Sequence, residues 1–173
     1  LAFGKGPAMK TLTISLTAAL AVTALSGLPL PYRAERSAVA TADVDTAWAV
    51  IADLENHPTW NPYTTELRGE AVVGTHLFNR TRSGDTELTF RPVVLTATPD
   101  SALRWRGSLG TRWIADGEHY YRIDPGPGPD QVTVTQGEVF RGVLVTPLRL
   151  WLNLDGEFAV STAALAEHIE KQG

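Results

Sequence analysis

Beyond Pro31 the apolar positions of this 173-residue chain change their spacing several times. Arg33 to Asp43 (RAERSAVATAD) mixes small and β-branched residues and predicts a first strand. In DVDTAWAVIADLENH the period becomes helical: Val44, Ala47, Trp48, Ile51 and Leu54 share a face, with Asp43 or Asp45 placed to cap it. Pro58 and Pro62 stop that helix, since each lacks an N–H and biases its predecessor away from helix. Short runs punctuated by turns follow: TTELRG, THLFNRTR, the turn SGD, TELTFRPVVLTATP, SALRWRGSLG, RWIADGEHYYRID and QVTVTQGEVF. Their spacing predicts an antiparallel meander, with DPGPGPD (Asp124 to Asp130) as a surface hairpin loop. The final stretch, TPLRLWLNLDGEFAVSTAALAEHIEKQ, predicts a helix opened by Thr146 and Pro147 and bent at Gly156. Leu148, Leu152, Phe158, Ala159, Thr162, Leu165, Ala166 and Ile169 make its broad face.

Strand, helix pair, about six strands and a long helix describe an α+β domain. A sheet of that size buries one face against the helix and leaves the other wet. Alternation assigns the faces. Leu88 and Phe90 point in, against Glu87, Thr89 and Arg91; Leu103, Trp105, Gly107 and Leu109 point in, against Arg104, Arg106 and Ser108. Trp113, Ala115, Gly117, His119, Tyr121 and Ile123 share the inner face of the next strand, with Asp116, Glu118, Tyr120, Arg122 and Asp124 on the outer one. Val132, Val134, Gln136, Glu138 and Phe140 face inward from the last strand.

Composition alters this picture mainly at the front. Residues 1–31 form an N-terminal extension and 32–173 the globular domain. Lys5 and Lys10 precede Thr11 to Leu30, twenty residues without a charge. That run fits a cleaved export signal, with Ala24-Leu25-Ser26 as a small-x-small cleavage site, an uncleaved membrane anchor, or a buried soluble helix, its length and polarity favouring the first two. Those two put the domain outside the cytoplasm, exported or anchored at the cell envelope. Leu1 to Ala8, upstream of Met9, is excluded from fold reasoning. The chain has no cysteine, hence neither a disulfide nor a thiol nucleophile. The 15 Lys and Arg less Lys5 and Lys10 leave 13 against 19 acidic residues, a net charge of −6 from Tyr32 onward. An acidic domain of interspersed charge argues against nucleic acid as a partner.

The run AWAVIADLENHPTWNPY, then Gly69-Glu70, Val73-Gly74, LRWRGSLG, GEHYY and GEVFRGVL resembles the START-like (SRPBCC) superfamily. The branch it is most similar to is that of polyketide cyclase/dehydrase and lipid-transport proteins. The resemblance runs from about Arg33 to the C-terminus. It implies a helix-grip fold, a curved antiparallel sheet wrapped around a long C-terminal helix with two short helices closing one end. It also implies a hydrophobic cavity between sheet and helix, and several such proteins carry an N-terminal apolar segment. In this frame NHPTWNP (Asn56 to Pro62) lies where the second short helix turns into the sheet. Its prolines fix the backbone, Trp60 is large enough to stopper one end, and Asn61 can bond nearby backbone groups. Trp60 and Asn61 are also candidates for touching a ligand at the cavity mouth.

Three inward polar residues carry the candidate chemistry: His119, Tyr121 and Glu138. As catalytic residues, His119 would be a general acid/base held by Glu138 or Gln136, with Tyr121 polarising a carbonyl. The same groups also make sense as a satisfied buried network, or as a clamp on a ligand's polar end. Register decides between neighbours. Centring the hairpin on Pro127 sets Glu138 opposite Asp116 and mixes the faces, which calls for a slip or a bulge at Gly137. One slip sets Gln136 opposite His119 and Glu138 opposite Gly117; the other sets Val134 opposite His119 and Glu138 opposite Ala115. Leu88, Phe90, Trp105, Trp113, Gln136 and Leu152 complete the expected ligand-binding set. His57, His76 and His168 lie on separate elements without metal-ligand spacing, so neither metal nor cofactor is expected. The expected partner is a small hydrophobic molecule, with a membrane reached through the N-terminal segment; oligomeric state is open. Three functions fit: a carrier or sensor of a lipid or polyketide-like molecule, a cyclase or dehydratase acting on one through His119, or a tethered interaction domain with a filled interior.

Overall fold

The computed structural model describes residues 31–108, 110–145 and 153–173. The uncharged run Thr11 to Leu30, Leu109, the expected helix start at Thr146-Pro147, and the face residues Leu148 and Leu152 lie outside them. Strand β1 (Tyr32–Thr41) leads to helix α1 (Val44–Ala52), a 3₁₀ turn (Leu54–Asn56) and the single-turn helix α2 (His57–Trp60). Strands β2 (Thr64–Arg68), β3 (Phe78–Ser83), β4 (Thr86–Phe90), β5 (Val93–Thr98), β6 (Ala102–Ser108), β7 (Asp116–Pro125) and β8 (Gln131–Arg141) follow. Helix α3 (Leu154–Glu170) completes the chain. Asp43 is the residue that caps α1: its carboxylate accepts from the Thr46 N–H at 2.7 Å, and that bond holds the carboxyl below its usual range.

All strand pairing is antiparallel, in a five-stranded sheet of order β1-β8-β7-β6-β5 and a three-stranded sheet of order β2-β3-β4. The run TELTFRPVVLTATP, expected as one strand, is two. Pro92 has no N–H to give a ladder, so β4 ends at Phe90 and β5 starts in the other sheet at Val93. The sheets meet at that corner through a His76–Val93 bridge and the bond from Leu77 N–H to the Pro92 carbonyl, 2.8 Å. The result is one curved antiparallel surface gripping α3, the helix-grip arrangement.

Helix α3 buries Phe158, Ser161, Thr162, Leu165, Ala166 and Ile169, an i, i+3/i+4, i+7 stripe. Leu165 and Ile169 pack with Leu103, Val134, Ala40, Ile51 and Leu54 into the main core. Burial of a leucine of this kind contributes about 2 kcal/mol from area alone. Ala159, expected on that face, is exposed, and Ser161 takes the place. Gly156 is not a mid-helix bend: it lies in the first turn, where its N–H donates to the Asn153 cap at 3.3 Å.

Two face assignments change. Trp113 and Ala115 are not in β7. Residues 111–115 form a turn whose Trp113 and Ile114 carbonyls accept from Val143 and Leu144, which leaves Trp113 61% exposed. Asp116, expected outward, is buried, accepting from the Ser108 hydroxyl at 2.9 Å with Arg112 at 3.8 Å. Among the described residues no helix is long and apolar enough to cross a membrane.

Candidate functional site

Between α3 and the two sheets lies a partly open cavity of about 800 Å³. One wall comes from the five-stranded sheet, with Trp105, His119, Tyr121, Gln136 and Glu138. The other comes from the three-stranded sheet, with Leu67, Asn79, Thr81, Leu88 and Phe90. Phe158 and Ser161 of α3 close the top. At the rim the Ser83 hydroxyl donates to the Glu157 carboxylate, tying the β3–β4 hairpin to the first turn of α3.

The β7–β8 register brings the polar groups together. His119 stands directly opposite Glu138, and Tyr121 opposite Gln136. None of the three registers considered from the sequence gives this pairing. The loop does not pivot on Pro127: the Gly126 N–H bonds to the Gln131 carbonyl at 2.8 Å, and Pro125 faces Val132. A Cβ on Gly126 would sit 2.6 Å from the Gln131 backbone, so only glycine permits so tight a closure there. The ladder then runs unbroken to Asp116–Arg141, with no bulge at Gly137.

His119 Nδ1 lies 3.3 Å from Glu138 Oε2, with the two side chains 14% and 23% exposed. Gly117 makes room for that carboxylate, since a Cβ there would fall 2.1 Å from Glu138 Oε1. The His119 ring stacks on Trp105 at 4.8 Å and 11°, with Phe158 at 5.7 Å. Gln136 Oε1 accepts from the hydroxyls of Ser161 (3.1 Å) and Thr162 (3.4 Å). Its amide N–H₂ therefore points to the Tyr121 oxygen (3.3 Å) and His119 Nε2 (3.4 Å). With an N–H donor at Nε2, the proton of neutral His119 belongs on Nδ1, facing Glu138.

Tyr121 is a fixed donor. Burial raises its phenol far above the ordinary value, while the Asn61 amide works in the opposite direction. Asn61 Oδ1 already accepts from the Tyr63 N–H at 3.0 Å, so Asn61, like Gln136, turns its N–H₂ to the hydroxyl. Two donors occupy the oxygen's lone pairs and leave its proton for an acceptor in the cavity.

The prolyl stretch places three residues differently. His57 is buried against Trp60 (4.7 Å) and edge-on to Tyr121 (5.7 Å). Burial pushes its pKa down to about 4, against the opposing bond from its Nε2 to the Ile51 carbonyl, 3.0 Å. It is neutral at pH 7 and donates that bond. Trp60 is a core residue, buried against His168 and Tyr121, and does not line the cavity. Asn61 does line it.

Of the residues expected from the sequence, Asn61, Leu88, Phe90, Trp105, His119, Tyr121, Gln136 and Glu138 therefore share one cavity. Trp60 and Trp113 lie elsewhere, and Leu152 is outside the described residues. Sequence reasoning missed His57, Asn79, Phe158 and Ser161 as cavity residues. Phe158 and Ser161 were legible as i, i+3 neighbours on α3; His57 and Asn79 carried no signal beyond an odd polar residue near apolar ones.

A curved antiparallel sheet closed by a C-terminal helix over a cavity defines a helix-grip protein. The chain belongs to the polyketide cyclase/dehydrase and lipid transport family, whose model matches residues 32–170. No curated protein is significantly similar to it in sequence. Among solved structures it is similar to the ZhuI aromatase/cyclase from Streptomyces sp. R1128, at 12% identity and TM-score 0.67 over 82% of this chain and 95% of that one. It is also similar to a START superfamily protein from Mycobacterium smegmatis, at 18% identity and TM-score 0.65 over 82% and 99%. Norcoclaurine synthase from Thalictrum flavum, in complex with dopamine and hydroxybenzaldehyde, aligns at 12% identity and TM-score 0.64 over 97% and 99%. At these identities the likeness is one of fold.

Proposed function

We propose that the protein binds one small, largely apolar molecule between the two sheet walls, with a carbonyl or similar acceptor turned toward Tyr121. The observation that carries this is the cavity of about 800 Å³, walled by Leu88, Phe90, Trp105 and Phe158, with His119, Tyr121, Gln136 and Glu138 bonded into one cluster on its five-stranded wall. That size and that mixture suit a small-molecule site. The family and the ring-handling neighbours, an aromatase/cyclase and a synthase holding dopamine and hydroxybenzaldehyde, support a lipid or polyketide-like ligand. The uncharged run Thr11 to Leu30 supports work at the cell envelope, exported or anchored.

A second reading, cyclase or dehydratase chemistry, is favoured by the His119–Glu138 pairing at 3.3 Å. His119 Nε2 would remove a proton next to a carbonyl whose oxygen accepts from Tyr121, displacing the long 3.4 Å contact with Gln136. Glu138 would hold the resulting imidazolium. Native mass spectrometry of protein purified from its own host tests both. A stoichiometric apolar ligand is the expected result. Its conversion by wild type but not by His119→Ala, with binding kept, would establish the enzyme; an interior that takes up no apolar ligand would contradict both readings.

A further inference from the structure

Strand β3 turns small polar residues, not apolar ones, toward the cavity. In FNRTRS (Phe78–Ser83) the one aromatic residue points outward, where the guanidinium groups of Arg68, Arg80 and Arg91 lie 4.7, 5.4 and 5.7 Å from its ring. Asn79, Thr81 and Ser83 line the cavity instead. Asn79 sits between two apolar ladder neighbours, Leu67 and Phe90, whereas Thr81 pairs with Thr64 and Leu88, and Ser83 with Thr86. A shift by one residue would turn Phe78 inward but would carry Arg80 and Arg82 into the cavity with it. Cross-strand ion pairs on the outer face hold the observed register, with Arg80 to Glu66 at 3.2 Å and Arg82 to Glu87 at 2.9 Å.

Asn79 adds the second observation. Its Oδ1 is buried and has no hydrogen-bond partner among the described residues. Buried polar atoms are almost always paired, so a single orphan acceptor in a cavity wall wants a donor. The other orphan, the Trp60 indole N–H, belongs to a separate surface groove beside His168. Ser83 is already engaged by Glu157. On the opposite wall the Tyr121 proton wants an acceptor.

We propose that β3 is the recognition edge of the cavity and that Asn79 accepts a hydrogen bond from a hydroxyl or N–H group of the ligand. This rests on the cavity reading above and narrows its ligand to a class: a flat apolar body with an acceptor at the Tyr121 end and a donor on the β3 edge, as in hydroxyaryl carbonyl compounds.

Titration calorimetry with a hydroxynaphthyl methyl ketone and its methyl ether tests this on wild type and Asn79→Leu. Wild type is expected to bind both and to prefer the hydroxyl form about tenfold, the worth of one such bond. Asn79→Leu is expected to bind the two equally while melting no lower than wild type, since Leu suits a site between Leu67 and Phe90. Equal affinities in wild type, or a hydroxyl preference that survives in Asn79→Leu, would overturn the assignment. So would an Asn79→Leu protein that melts lower with its preference unchanged. If wild type bound neither probe, the cavity reading itself would fall and this assignment with it.

Discussion

Strands β7 and β3 line the same cavity from its two sheets and treat their polar side chains in opposite ways. On β7 and the adjoining β8, His119, Tyr121, Gln136 and Glu138 are bonded to one another, and Ser161 and Thr162 of α3 anchor the set. On β3, Asn79 sits between apolar neighbours with its oxygen unpaired. A paired network positions groups and adds rigidity, whereas an unpaired one costs stability until a ligand arrives. The first wall is therefore held in a fixed geometry, and under the proposal above the second selects the occupant.

The largest effect should come from breaking the paired wall. Gln136→Leu strands the Thr162 hydroxyl, leaves Ser161 only the Phe158 carbonyl and removes a partner from both Tyr121 and His119; urea unfolding should show a loss of about 4 kcal/mol. Acid comes next, through His57. Its folded pKa of about 4 lies below the ordinary value of 6.5, so between those values the unfolded chain binds the extra proton. Its contribution is complete above about pH 6.5 and is lost as pH falls toward 4, up to about 3 kcal/mol. Stability measured against pH should fall less steeply in His57→Gln, which keeps a donor for Ile51 and cannot titrate; parallel curves would sink this account.

Gly117→Ala should cost less, about 2 kcal/mol, because the methyl meets the end of one side chain. It should also drive the Glu138 carboxylate from His119, visible as a change in the imidazole Nδ1–H signal by NMR. Gly117→Ala combined with Glu138→Asp should recover part of the stability. The smallest change should be in the unpaired wall, where Asn79→Leu is expected to raise stability by less than about 1 kcal/mol.

This contrast also explains what was legible in the sequence. Period alone exposes the α+β order, the inward set Leu103, Trp105, His119 and Tyr121, and the gripping face of α3, because large apolar burial dictates them. The His119–Glu138 pairing was hidden, since it hangs on a tight closure between Gly126 and Gln131 that a proline-rich loop does not announce. Trp113 misled for a related reason: alternation continues through 111–115, yet the chain there turns to meet Val143 and Leu144. Asn79 escaped because the cavity face of its strand, Asn79, Thr81 and Ser83, has no apolar residue to mark it as inward. Trp60, in the NHPTWNP stretch, is a plug of the core, and Asn61 beside it is the residue that reaches the cavity.

The central claim, one ligand held between two unlike walls, is tested most directly by a crystal structure of the hydroxynaphthyl methyl ketone complex. The rings should lie between Phe90 and Trp105, with the carbonyl oxygen within hydrogen-bond distance of the Tyr121 hydroxyl. A ketone seated outside that space, in the groove beside Trp60 and His168 or on the surface, would contradict it.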